Sequence, residues 1–239
     1  MKKTLSLVMM NKSKKILSVF FISILNFSIF AQSALELKNN ALKSETVQDA
    51  IVYLNENIDS LQTPEDKRST LYFLGTLQEQ LGLYTDASRS YAKACGISAK
   101  DAEGFKKCST EQMVLNAVRC LLCAGETEAA EKYLNSAVRS SSDEKIIAYV
   151  NLYSVWTALC KSQNYDDNAD SVALLKVYSS MKSMETVKSQ VLFTLWYLTG
   201  EEEYKTLLQK EFPSSPECGI TAGKVQVASV PFWYFVPRQ

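Results

Sequence analysis

No histidine occurs anywhere in the 239 residues. That absence excludes triads built on imidazole, histidine general bases and every zinc site that needs an imidazole ligand. Turn-formers are scarce too, with eight glycines and five prolines. A chain so poor in breakers, with long uninterrupted stretches, points to helix. Polybasic runs are missing, so nothing in the sequence invites a phosphate backbone or an acidic membrane surface. One run alone is strongly apolar. Lys12, Lys14 and Lys15 precede Ile16 to Phe30, broken only by Ser18, Ser23, Asn26 and Ser28, and Ala31-Gln32-Ser33 follows. It falls short of the roughly 20 apolar residues a membrane span needs. A charged start, a short apolar stretch and a small-residue exit are the marks of a cleavable secretory signal over residues 1–33. Met10 would begin a signal of conventional length, which makes it a second candidate start. Loss of residues 1–33 takes five lysines and no acid from 26 basic and 26 acidic residues, leaving a net charge of −5. The expectation is an exported, periplasmic protein with no stable membrane span after cleavage.

All six cysteines follow this segment, at 95, 108, 120, 123, 160 and 218. Export permits disulfides, and Cys95 with Cys108 could bridge the connection between them. Cys120-Leu121-Leu122-Cys123 has the spacing of a redox or zinc pair. It sits late in an apolar helix, away from the N-terminal dipole that would activate a thiol, and no histidine completes a metal set. Buried thiols are the better reading.

Helix signals recur along the chain. Ala50, Ile51, Leu54 and Ile58 have helical spacing, and residues 34–62 read as an N-terminal capping helix. Thr63-Pro64-Glu65 is a helix start, with Thr as cap and Pro where no amide is needed. Ser109 with Gln112, and Ser141 with Glu144, read as capping boxes. Gly82, Gly125 and Gly200 each close a periodic apolar stretch.

The spacing of Leu71, Leu74, Gly75, Gly82, Tyr84, Ala87, Tyr91 and Ala94 resembles the tetratricopeptide repeat. Gly75 is the small residue that lets the second helix approach, Tyr84 fills the turn and Tyr91 packs between neighbours. Val114, Ala117, Leu121, Gly125, Ala130, Leu134 and Ala137 form a degraded second copy, with Thr127 at the turn. Leu152, Val155, Trp156, Leu159, Tyr165 and Ala169 form a looser third. Leu192, Phe193, Trp196, Gly200, Tyr204, Leu207 and Leu208 form a fourth, ending at Glu211 to Pro216. The resemblance covers roughly residues 45 to 217 and is similar to repeats of exported bacterial envelope proteins. Copies start about 35 to 43 residues apart, against about 34 for the common repeat. The excess lies at Gly96 to Lys107. The fold implied is all-α, a solenoid of stacked antiparallel helix pairs over residues 63–217, followed by an extended tail over 218–239.

Other short patterns carry less. Asp166, Asn168 and Asp170 start like a calcium loop, but Ser171 and Val177 stand where Gly and Glu belong. Ser142 to Lys145 and Ser179 to Lys182 fit Ser-x-x-Lys without companion motifs. Glu201 to Glu203 read as a solvated helix start. Four consecutive aromatics, Phe232 to Phe235, cannot all face one core if extended. They either cap the last repeat or dock to a partner.

The function implied by the resemblance is a non-catalytic scaffold that binds a protein or peptide of the cell envelope, with no cofactor. Its groove positions would be Tyr72, Thr76, Glu79 and Gln80, then Gln112, Leu115, Arg119 and Leu122, then Tyr153, Thr157 and Lys161, with Trp233 and Phe235 from the tail. The alternative is a small-ligand carrier with Tyr72, Tyr153, Trp156 and Trp196 around an apolar pocket.

Overall fold

The structure, a computed structural model, describes residues 32–162 and 168–224. Within them the chain is all-helical, with no strand among the described residues. The helices are α1 (Ala34–Ala41), α2 (Val47–Asn57), α3 (Pro64–Gln80), α4 (Tyr84–Cys95), α5 (Thr110–Cys123) and α6 (Thr127–Leu134), then α7 (Glu144–Lys161), α8 (Ala169–Ser180), α9 (Lys188–Thr199), α10 (Glu202–Glu211) and α11 (Pro216–Thr221). Short 3-10 turns occupy Ile58–Ser60, Ala137–Ser140 and Lys182–Val187.

The starts follow from side chains that take up orphan amides. Thr63 caps α3 by accepting from the Asp66 amide at 3.1 Å, with Pro64 in the first turn. Ser109 caps α5 by accepting from the Gln112 amide at 3.1 Å. Two readings shift. The cap of α7 is Asp143, which accepts from the Lys145 amide, while Ser141 accepts from the Asp143 amide; the box expected at Ser141 and Glu144 is displaced by two residues. The single capping helix expected over 34–62 is two helices, because Thr46 accepts from the Asp49 amide and starts a new one. Cys218 to Thr221, expected in an extended tail, belong instead to α11, which Ser215 and Pro216 start.

Two helix ends close identically. Gly82 lies at φ +72°; its amide donates to Glu79 O at 3.0 Å and the Leu83 amide to Gln78 O at 2.9 Å. Gly125 lies at φ +78°; its amide donates to Leu122 O at 3.0 Å and the Glu126 amide to Leu121 O at 2.8 Å. A β-carbon in this left-handed region costs about 1–2 kcal/mol, so glycine stands there for a backbone reason. Between these turns, α3 and α4 meet closely. A β-carbon on Gly75 would sit 2.8 Å from Tyr91 Cε1, so only glycine lets the Tyr91 ring lie against α3.

Each helix from α3 to α7 packs on the next in sequence. Contacts also join α1 to α3, α5 to α7 and α9 to α11. Apolar residues from α5 through α11 form one large cluster around Trp156, Phe193, Leu152 and Leu192. The N-terminal half has three smaller ones instead. Between them sits Arg68, 4% exposed. Its guanidinium pairs with Asp101 at 3.1 Å and donates to Cys108 O at 2.9 Å, Ile97 O at 3.1 Å and Ala94 O at 3.4 Å. Asp101 also accepts from the Cys108 amide at 2.8 Å. The long connection between α4 and α5 is therefore a fixed loop wrapped around one buried cation. Cys95 and Cys108 flank it as free thiols, so the disulfide weighed between them is not formed.

Candidate functional site

The residues the sequence marks as groove positions fall into three groups. The first is a seam between α3, α4 and α5. Arg119 holds Glu79 through Nε at 2.7 Å and a terminal nitrogen at 2.8 Å, a bidentate fork. The two side chains are 20% and 10% exposed. Tyr91 on α4 donates its hydroxyl to the same carboxylate at 2.9 Å. Beside it, the Ser90 hydroxyl donates to Gln78 at 2.7 Å. Gln112 donates to Asn116 at 3.2 Å, and Tyr72 packs on Tyr91 with ring centroids 5.6 Å apart.

The electrostatics of this seam favour neutral phenols and thiols. Burial pushes the Tyr72 hydroxyl up to about 12, helped by the neighbouring Cys108. Burial also raises Tyr84 to about 12 and Tyr91 further, with the Glu79 carboxylate adding to both. Burial pushes the Cys120 and Cys123 thiols well up. Burial alone would lower Arg119, but Tyr153 and Glu79 outweigh it and hold the guanidinium protonated. A protonated thiol is a poor nucleophile and a poor metal ligand. Among the described residues, no group of three or more His, Cys, Asp or Glu is placed to hold a metal ion.

The second group is buried in packing. Leu115, Leu122 and Tyr153 are fully buried and Thr157 nearly so. They were expected on an open inner surface. Direct packing of α7 on α5 covers them instead, and Thr157 turns its hydroxyl back to Tyr153 O at 2.7 Å. Two of the residues named for the carrier pocket share that burial. Tyr153 stacks on Trp156 at 5.3 Å, and Trp156 donates to Thr194 at 3.0 Å, so both are core residues.

The third group reaches the surface. Gln80 is exposed; Tyr72, Thr76 and Gln112 are half-buried. Lys161 is exposed and pairs with Glu131 on α6 at 2.6 Å. Trp233 and Phe235, residues 1–31 of the proposed signal segment, and Tyr165 and Asp166 lie outside the described residues.

Sequence reasoning missed two positions. Arg68 was passed over because nothing local marks a cation that will meet a loop 33 residues on. Arg139 was missed because it lies between the expected copies. It lines two adjoining cavities over α7, of about 330 and 230 Å³. No helix among the described residues is long and apolar enough to cross a membrane.

Comparison with known proteins adds two likenesses. Residues 160–239 match a family model described as the TP_0752_M middle domain. An uncharacterized protein of Treponema pallidum (strain Nichols) is 22% identical over 229 residues, which is 95% of this chain. The chain spans 58% of the length of that relative. No solved structure matches.

Proposed function

We propose that this chain is an exported helical scaffold of the tetratricopeptide type, a solenoid that binds a protein or peptide partner of the cell envelope without catalysing a reaction. The observation that carries the reading is the repeated turn. The same pair of backbone bonds closes α3 onto α4 at Gly82 and α5 onto α6 at Gly125, 43 positions apart. With the close contact of Gly75 and Tyr91, it supports stacked helix pairs rather than an unrelated bundle. The seam of Glu79, Arg119 and Tyr91 gives these pairs a fixed register. The polar side chains around it, Gln80, Thr76, Gln112 and Tyr72, are the surface a partner segment would meet.

Two experiments test this. A photo-crosslinking residue placed at Gln80 or Gln112 in the living cell is expected to capture one protein in stoichiometric amount, and Gln112→Arg to lose it without lowering thermal stability. Efficient activation with no captured protein at either position overturns the scaffold. N-terminal sequencing of the protein isolated from cells checks export, with a start near Gln32 to Ala34 expected.

A further inference from the structure

We propose that the cleft over the exposed face of α7 binds a small zwitterion carrying an apolar side chain, a free amino acid or a short peptide. This site lies away from the Gln80 and Gln112 surface and does not depend on the scaffold reading. The cavities of about 330 and 230 Å³ share Arg139, Ser154 and Ala158, so they form one trough along α7. Ser154 and Ala158 make its floor small enough for a ligand to approach the helix closely. Leu174 and Tyr178 of α8 form an apolar wall of the larger cavity, and Leu174 remains 40% exposed.

The charges decide the class. At the far end of the trough Lys161 and Glu131 neutralise each other at 2.6 Å. Arg139 donates to the Asn135 side chain at 2.5 Å and has no carboxylate partner among the described residues. Asp170 lines the same larger cavity, also without a cation partner among them. A simple carboxylate would satisfy Arg139 and meet Asp170; a simple amine would do the reverse. A ligand with both charges satisfies both and lays its side chain on Leu174 and Tyr178. The larger cavity stands at the low end of the roughly 300–1,000 Å³ range of ligand clefts, which favours a small occupant.

Calorimetric titration of the full chain with leucine, phenylalanine and the dipeptide Leu-Leu tests the proposal. N-acetyl-leucine, which lacks the ammonium, and leucinamide, which lacks the carboxylate, are the controls. The expected result is saturable binding of at least one of the three zwitterions, weakened about tenfold or more in both controls. Arg139→Gln and Asp170→Asn, both surface changes, should each weaken it similarly with unchanged thermal unfolding. Binding of the single amino acids identifies a free amino acid as the source, and binding of Leu-Leu alone identifies a peptide. No binding by any of the three up to about 10 mM, or equal binding of the blocked controls, overturns the site.

Discussion

The two halves of this molecule are held together by different means. From α1 to α5 the apolar residues divide into three small clusters, and the spaces between them are filled by Arg68, Gln78, Ser90, Asn116 and the Glu79–Arg119 fork. From α5 to α11 a single apolar cluster runs through every helix. Hydrogen bonds are directional and apolar contact is not. The first half is therefore specified by position and the second by area. That difference accounts for where repeat-like spacing survives. It is sharp in α3 and α4, where Gly75 and Tyr91 must meet, and blurred beyond α6, where any apolar residue of suitable volume serves.

The largest expected effect breaks the first half alone. Arg68→Ala leaves the largely covered Asp101 carboxylate without its cation and removes the guanidinium from Cys108 O, while Ala94 O and Ile97 O keep the amides of Ile97 and Ala99, and should cost about 3–5 kcal/mol in urea unfolding. Arg68→Lys should recover only part of that loss, since a point charge cannot replace the fork. In the second half, Leu192→Ala opens a cavity in the shared cluster and should cost about 2–5 kcal/mol by the same measurement. Gly75→Ala drives a methyl into the Tyr91 ring and should cost about 1–3 kcal/mol. Leu195→Met preserves volume in the large cluster and should cost below about 1.5 kcal/mol. If Leu195→Met proved as damaging as Gly75→Ala, the contrast between the halves would fail.

Alkali gives the gentlest separation. Tyr72 and Tyr84 are raised from 10.0 to about 12, so the folded chain keeps protons that the unfolded chain gives up. Their contribution is complete below the unfolded value and is lost as pH rises from about 10 to 12. Cys160, raised from 9.0 to about 12, begins the same decline near pH 9. Thermal unfolding should therefore be insensitive to these groups between about pH 7 and 8, begin to fall near pH 9 and fall more steeply above about 10.

Local chemistry was legible in the sequence where it is self-contained. The caps at Thr63 and Ser109 and the left-handed glycines at 82, 125 and 200 each involve residues within one turn of each other. The Gly75–Tyr91 contact was legible because its spacing recurs in a known repeat. The covering of Leu115 and Leu122 was not, because periodicity says which residues share a helix face but not which neighbour closes over it. Nor was the Glu79–Arg119 fork, whose two members read as separate groove charges until α3 and α5 are set side by side. Arg68 was the least legible, since its loop partners lie 29 to 40 positions away in a segment with no pattern of its own.

That loop also sets an order of events. Gly104 receives Lys38 Nζ on its carbonyl at 2.8 Å, across 66 positions, and Leu35 lies so near that a β-carbon on Gly104 would meet it at 2.7 Å. Helix α1 thus has part of its seat in residues made long after it. At about 5–20 residues per second of synthesis, that interval lasts several seconds. Through it α1 has α2 and α3 to rest on, but Lys38 has no Gly104 carbonyl to meet. Helix α1, the first among the described residues, is among the last of its half to gain all its contacts.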